Sequence, residues 1–251
     1  MHELLNDINE RISMGIAISD EEKAKAVRLI TEELGSDILE KIDGLTSKDL
    51  ESMYPLFITA KSNGKKKERL ITGELPKTKI LADNSYELEA LRLLALWGER
   101  TPEVNEVLLT TERRIKNTCF GVFCVKGECP GASIASLRFY TALHPEDLTM
   151  QSMIVDELKK HRDYRGKWTL DIPYFYLIYA MTDCDYNVIE EELNYASVDL
   201  AISVSKPWLV EPFQVIRKYV VKNFLARLPQ YAYLKDRTYY EQDGRWHLSE
   251  G

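Results

Sequence analysis

From Tyr86 onward the chain repeats one arrangement: an apolar segment of helical length, a short turn and a more charged segment. The apolar segments begin near Ala90, Ser136 and Tyr174, and each turn after them contains Gly, Pro, Asp or Asn. An apolar helix joined by a turn to an amphipathic helix is an αα-hairpin, and repeated hairpins stack side by side or close into a ring. The repetition therefore predicts an all-α fold of tandem αα-hairpins. The charged second helices are expected over residues 104–115, 151–162 and 188–200.

A glycine-containing turn gives the repeat its period. Gly127 and Gly166 lie 39 positions apart, and Gly244 lies a further 78 positions on, which is two such periods. The second residue after the glycine is a cysteine in the first copy and a tryptophan in the other two. Where the intervening copy is missing, the chain has a degenerate version that runs from Ser205 to Trp208. The glycine permits a tight turn ahead of the next element.

The remaining sequence divides into two further parts. Residues 1–60 are predicted to form short amphipathic helices, one of them started by Ser19 with Glu22 three residues later as a capping box. Residues 61–85 are rich in Lys, Gly, Pro and Asn, and we expect a connecting loop there. Residues 86–251 contain the hairpin repeats, as a separate domain or as one continuous domain with the N-terminal part.

One copy of the turn resembles a motif of a known superfamily. Residues 162–168, Arg-Asp-Tyr-Arg-Gly-Lys-Trp, resemble the Gln-x-x-x-Gly-x-Trp turn of the squalene cyclase and prenyltransferase repeats, with Arg162 in place of the glutamine. The resemblance extends over about residues 86–246 and implies an α/α toroid or an open part of one. About four hairpins are present, fewer than a complete toroid of that superfamily contains.

The resemblance does not carry the enzymatic activities of that superfamily, because a fold does not fix a function. Squalene-type cyclases protonate their substrate with an Asp-x-Asp-Asp motif. The nearest segment here begins Asp183-Cys184-Asp185 and then has Tyr186. The Asp, Cys and His zinc ligands of protein prenyltransferases have no matching positions, so no ligand is carried over.

Charge and hydropathy disfavour two classes of partner. The net charge is −7, whereas proteins that bind nucleic acid in bulk are usually basic. No apolar run approaches the roughly 20 residues of a membrane span. The first residues are acidic rather than the basic and apolar regions of a secretory signal. We therefore expect a cytoplasmic protein, in which cysteines are free thiols or metal ligands rather than a disulfide framework.

Three cysteines form the best candidate for chemistry. Cys119, Cys124 and Cys129 are spaced five and five, and Cys184 could complete a set of four from the neighbouring repeat. Four thiolates suit zinc or an iron–sulfur cluster. The spacing is neither a common zinc pair nor a ferredoxin run. Buried free thiols and a redox disulfide are the alternatives, and Cys129 also occupies the tryptophan position of the repeat turn.

Side chains of the apolar helices form a candidate ligand site. Arg138, Tyr140, Tyr174 and Tyr176 are expected to face a concave centre, where they could hold a small apolar ligand or a peptide. Alternatively, the aromatic residues are ordinary core. Arg138, like Arg92 at the corresponding repeat position, would then make a structural contact with a helix end or a carboxylate.

These features support several functional hypotheses. The leading one is a binding module with a concave aromatic face. The alternatives are an enzyme acting on an isoprenoid-like hydrophobic substrate and a metal or redox protein that uses the cysteines. His161 could serve as a ligand contact or as a general acid or base, but an exposed turn histidine is the simpler interpretation. Whether the protein is an enzyme remains open.

Overall fold

The computed structural model describes residues 1–33, 68–124, 126–127 and 129–250. The second part of the predicted N-terminal helical region and the first part of the predicted connection, residues 34–67, lie outside the described residues. The described chain is mostly helical. No helix in this part of the chain is both long and apolar enough to cross a bilayer.

Two helices begin the chain. Helix α1 covers His2–Met14 and ends at Gly15, which adopts φ 75° and donates its N–H to the last carbonyls of the helix. Helix α2 covers Asp20–Glu33. The predicted capping box is confirmed: the Ser19 N–H donates to Glu22 Oε2 at 2.9 Å, and the Glu22 N–H donates to Ser19 Oγ at 3.2 Å.

Six helices of the repeat region follow the predicted alternation of apolar and amphipathic segments, and a seventh, the last one, was not predicted. Helix α3 begins at Lys79 because Thr78 Oγ1 accepts the Leu81 N–H at 3.3 Å, so the predicted connecting loop ends at residue 78 rather than 85. The helices are α3 (Lys79–Trp97), α4 (Pro102–Lys116), α5 (Cys129–Leu143), α6 (Leu148–Lys159), α7 (Tyr174–Asp183), α8 (Tyr186–Ser205) and α9 (Gln214–Leu225).

Each second helix of a hairpin begins at a capping side chain in the turn. Thr101 accepts the Val104 N–H at 3.3 Å, Asp147 accepts the Thr149 N–H at 2.9 Å, and Asp185 accepts the N–H two residues on at 2.8 Å. Such caps satisfy backbone donors that have no partner within the helix. The polar turn residues therefore fix where helices α4, α6 and α8 start.

Burial separates the two kinds of helix. Helix α5 buries every residue from Pro130 to Thr141, as an apolar helix enclosed on all sides does. Helix α4 buries one stripe, which contains Val104, Leu108 and Ile115. Contacts run from α1 to α3, from α3 to α5, from α5 to α7, from α7 to α9 and from α9 back to α1. Helices α1, α3, α5, α7 and α9 (the inner helices) are thus neighbours in a closed cycle.

The mostly helical structure agrees with the all-α prediction, and a small antiparallel sheet near the C-terminal end is an addition that was not predicted. Strands β1 (Trp208–Leu209), β3 (Arg245–Leu248) and β2 (Tyr239–Gln242) lie side by side in that order. Asp243 and Gly244 turn the β2–β3 hairpin with φ values of 51° and 68°. An Asp-Gly pair suits the two-residue turns that join antiparallel strands. The third glycine of the repeat therefore turns a β-hairpin instead of an αα-hairpin. Short 3₁₀ helices cover Cys119–Val122 and Pro229–Asp236.

The turn that resembles the cyclase motif is held by a buried carboxylate on α8. Gly166 has φ 75°, and a Cβ there would meet the Tyr195 carbonyl oxygen at 3.3 Å. The Trp168 indole donates to Glu192 Oε2 at 2.8 Å, and the Arg162 guanidinium pairs with the same carboxylate. Glu192 is completely buried, so the turn and α8 are joined by charged hydrogen bonds shielded from water.

Helix α7 receives its cap from a distant segment. Pro173, the residue that precedes it, supplies no side-chain cap. Instead, Glu74 Oε1 accepts the Phe175 N–H at 3.1 Å, and Glu74 Oε2 accepts the Tyr176 N–H at 2.8 Å. A carboxylate at a helix N-terminus also interacts favourably with the helix dipole. Glu74 therefore ties residues 68–78 to the repeat helices.

Replacing Glu74 with alanine should lower the free energy of unfolding by about 1–2 kcal/mol, because two backbone donors lose their acceptor. Glu74→Gln keeps one acceptor oxygen and should lose less. Thermal unfolding followed by circular dichroism measures both variants. Equal melting temperatures for wild type and Glu74→Ala would contradict the capping role.

Candidate functional site

A buried polar network lies between four of the inner helices. Helix α1 contributes Asn9, α3 contributes Glu89 and Arg92, α5 contributes Arg138, and α7 contributes Tyr179. We call these five residues the arginine cluster. All of them are at least nine-tenths buried. Buried charged groups need partners, and the cluster supplies most of them internally.

One carboxylate serves both arginines. Glu89 Oε1 accepts from Arg92 Nε at 3.1 Å, and Glu89 Oε2 accepts from Arg138 Nη1 at 2.7 Å. Arg138 Nε donates to Asp183 Oδ2 at 2.7 Å, and its guanidinium carbon lies 4.1 Å from the centre of the Tyr179 ring. Arg92 and Arg138, which occupy corresponding positions of the repeat, therefore contact one carboxylate. This is the structural contact that the sequence offered as the alternative to ligand binding.

A cavity of about 740 Å³ adjoins the arginine cluster. Its lining includes Arg92 and Arg138, together with Gln151 from α6 and Arg227 from the end of α9. Arg138 Nη2 and Gln151 Nε2 are buried and have no hydrogen-bond partner among the described residues. Buried donors without partners are rare in folded proteins, so these two atoms mark polar groups of the cavity lining.

The three clustered cysteines come together near the start of α5. Cys119 lies in the 3₁₀ helix, Cys124 in the loop after it, and Cys129 is the first residue of α5. Their Sγ atoms all lie within 4.8 Å of one another, and the Sγ atoms of Cys119 and Cys129 are 3.0 Å apart. Cys119 is exposed and the other two are half-buried. We call this group the thiol cluster.

The surroundings shift the pKa values of two thiols in the cluster in opposite directions. A backbone hydrogen bond with Lys126, aided by the neighbouring thiols, lowers the pKa of Cys124. Burial, together with the neighbouring Cys119, raises the pKa of Cys129 to about 12. Cys124 is therefore the more acidic of these two thiols and Cys129 the less acidic.

Cys184 lies outside the thiol cluster, contrary to its predicted place as a fourth ligand. It follows α7, is 3% exposed and donates weakly to the Ala180 carbonyl at 3.6 Å. Burial raises the pKa of Cys184 to about 12, so its thiol stays protonated at neutral pH. Among the described residues, the group able to hold a metal ion consists of the other three cysteines alone.

The predicted ligand-binding residues do not share one site. Tyr176 is buried, and Tyr140 is buried with its hydroxyl donating to Asp147 Oδ2 at 2.6 Å. The Tyr174 ring packs 6.3 Å from the Trp168 ring, centre to centre. His161 is half-buried, with Nε2 3.7 Å from a Glu157 oxygen. Of the five residues, Arg138 alone is part of the lining of the 740 Å³ cavity.

Two important residues were missed in the sequence. Glu89 stands three positions before Arg92, a spacing that places oppositely charged side chains together on a helix, so this pair was available as a signal. Gln151 gave no signal, because an isolated glutamine in an amphipathic helix is ordinarily a surface residue. Its role depends on α6 packing beside the end of α7.

Comparisons with protein-family profiles, with curated proteins and with solved structures find no match to this chain. The class of the protein is therefore defined by its own structure: a mostly helical protein of αα-hairpins with a small terminal sheet, a cluster of three thiols and a buried arginine cluster beside a cavity.

Proposed function

We propose that this protein binds one thiophilic metal ion, with zinc as the first choice, through Cys119, Cys124 and Cys129. The observation that carries the proposal is the approach of the three Sγ atoms to within 4.8 Å of one another. Zinc–thiolate bonds of about 2.3 Å place two sulfurs on one tetrahedral ion about 3.8 Å apart. Side-chain movements of about 1 Å would therefore bring all three sulfurs onto one ion.

The close grouping favours a single ion over an iron–sulfur cluster. Each cysteine of a [4Fe–4S] cluster binds a different iron atom, and a [2Fe–2S] cluster divides its four cysteines between two irons, so three sulfurs on one cluster stand farther apart than three that share one ion. Soft thiolate ligands also select zinc over magnesium or calcium, which prefer oxygen. A mononuclear zinc site with three thiolates is therefore the best fit to the thiol cluster.

Three protein ligands leave the fourth tetrahedral position to water or an incoming ligand. Cys119 is exposed, so the ion would be reachable from solvent. Such an ion exchanges more readily than one enclosed by four buried ligands. The function proposed for the site is reversible metal binding, as in a protein that senses or transfers zinc.

Metal analysis of the full chain, purified without oxygen and without added metal, tests the proposal. We expect about one equivalent of zinc per chain in the wild type and a loss of most of it in Cys124→Ser, because a hydroxyl is a poor substitute for a thiolate. Cys184→Ala is the matched control, since it removes a cysteine outside the thiol cluster and should leave the zinc content unchanged.

A disulfide between Cys119 and Cys129 is the competing chemistry, since their sulfurs are 3.0 Å apart. Thiol titration of the same anaerobic sample separates the two possibilities. Less than about 0.1 equivalent of zinc together with two unreactive cysteines would contradict the metal site and show that two of the thiols form a disulfide. Iron with a visible absorption band would assign a cluster instead.

We also propose that the inner helices form an α/α toroid-like ring rather than an open part of one. Their closed cycle of contacts favours the ring, and the Gly166 turn agrees with the predicted repeat. Activity on an isoprenoid-like substrate has only the resemblance in its favour and is not proposed. A cytoplasmic location suits the thiol cluster, because that compartment keeps thiols reduced.

A further inference from the structure

The lining of the cavity beside the arginine cluster combines apolar and polar residues. Leu96, Trp97 and Pro145 supply apolar surface, while Arg138 and Gln151 supply polar groups. Its volume of about 740 Å³ falls within the range of about 300–1,000 Å³ found for small-molecule sites. None of these residues belongs to the thiol cluster.

Three buried atoms of the lining have no hydrogen-bond partner among the described residues: the donors Arg138 Nη2 and Gln151 Nε2, and the Thr141 hydroxyl oxygen, which can donate or accept. Arg138 uses Nε and Nη1 on Asp183 and Glu89, which leaves Nη2 without a partner in the described chain. Gln151 Oε1 accepts the Asp185 N–H at 2.7 Å, so Nε2 is the free end of that amide. Each of these two side chains is 1% exposed. Leaving such donors unsatisfied costs about 1–3 kcal/mol each, so the site favours an occupant that accepts hydrogen bonds.

The acidic groups of the lining are already engaged. Asp183 is paired with Arg138, and Asp185 caps α8 through the Asn187 N–H. Arg227 donates to the carbonyls of Met181, Thr182 and Cys184, and no ion pair joins it to a carboxylate of the described residues. Arg92 and Arg138 also share Glu89, so the three arginines of the lining are balanced by three carboxylates. The preference for an anionic group therefore comes from the unpartnered N–H donors, which form charge-assisted hydrogen bonds with a carboxylate.

We infer that this cavity binds a small organic acid, with its carboxylate toward Arg138 and Gln151 and its carbon skeleton against Leu96 and Trp97. A carboxylate has two oxygens and can accept from a guanidinium and an amide together. The apolar residues of the lining remove the carbon skeleton from water. The inference is independent of the metal site, since the two sites share no residue.

Calorimetric titration with octanoate and with octylammonium tests the head-group chemistry, because the two probes share an apolar chain and differ in accepting or donating hydrogen bonds. We expect saturable binding of octanoate to the full chain at about 1 mM or tighter, and octylammonium at least about tenfold weaker. No saturable binding of octanoate up to about 10 mM, or equal binding of both probes, would overturn the inference.

Gln151→Glu locates the site. The substitution keeps an oxygen for the Asp185 N–H but replaces the free donor with an acidic oxygen, so octanoate affinity should fall by about tenfold or more. Gln230→Glu adds the same charge at an exposed position and should bind octanoate like the wild type. Equal affinities for both variants would place octanoate outside the cavity.

A second variant keeps the test decisive if Gln151→Glu does not fold. Ala142 is half-buried and lines the same cavity without taking part in the polar network. Ala142→Leu narrows the cavity and should weaken octanoate binding while circular dichroism stays that of the wild type. Undiminished binding in folded Ala142→Leu would also overturn the inference.

Discussion

Glu89→Ala should cause one of the largest losses of stability available in this chain. The Glu89 carboxylate accepts from both Arg92 and Arg138, and its removal leaves two buried guanidinium groups short of a partner. Breaking a buried charge pair from one side costs about 3–5 kcal/mol. In a protein of this size that loss corresponds to a fall in the melting temperature of roughly 10 °C.

Thermal unfolding of matched variants measures this effect. Glu106→Ala removes a glutamate from an exposed position on α4 and should melt within about 1 °C of the wild type. Glu89→Gln keeps the shape and one acceptor oxygen and should fall between the two. The double variant Glu89→Ala with Arg138→Ala should lose less than the sum of the single losses, because the two residues interact directly. Strict additivity would show that Glu89 is not the common partner.

Glu192→Ala should cause the second large loss of stability. Glu192 is fully buried and accepts from Arg162 and from the Trp168 indole. Its loss leaves the indole N–H without its acceptor, while Arg162 keeps Glu191 as a carboxylate partner. We expect a decrease of about 3 kcal/mol in the free energy of unfolding, because one buried donor is left unsatisfied and one charged hydrogen bond is lost. The turn at residues 162–168 should also separate from α8, because this carboxylate joins them.

The neighbouring Glu191 provides the control for this prediction. It also pairs with Arg162, at 2.7 Å, but its side chain is 59% exposed. Exposed ion pairs contribute little, so Glu191→Ala should leave the melting temperature nearly unchanged. Hydrogen exchange at the Asp163 and Thr169 amides, which bond across the turn, reports its opening. Unaltered protection in Glu192→Ala would contradict the anchoring role.

Local features of the fold were predictable from short stretches of sequence. The capping box of Ser19 and Glu22 followed from a signal that acts within a few residues. The approximate positions of α4, α6 and α8 followed from the repeated charged segments, but these helices begin two or three residues earlier than predicted, because their capping residues were not recognised. The β2–β3 hairpin was missed although Asp243-Gly244 is a strong turn signal. The spacing of 39 residues suggested that Gly244, like Gly127 and Gly166, lies in a turn between helices, whereas it turns a β-hairpin.

The candidate sites were only partly predictable, because they depend on contacts between distant residues. Three of the four cysteines meet near the start of α5, whereas Cys184 lies in the core after α7. The spacing of the cysteines does not show which sulfurs come together. The segment between Cys119 and Cys129 includes an irregular loop, whose path cannot be predicted from a repeating pattern. The same holds for Gln151, whose place at a cavity depends on how α6 packs.

The sequence by itself determined the helical hairpins, their capped starts and the glycine turns, because each depends on interactions between neighbours along the chain. Only the tertiary structure decided that Arg92 and Arg138 share Glu89 and that Arg138 Nη2, beside a cavity, has no partner among the described residues. Those facts depend on how helices from separate repeats pack together. Because these charged side chains are buried, they must pair with one another, and among the described residues Arg138 Nη2 is a buried donor of the arginine cluster that has no partner.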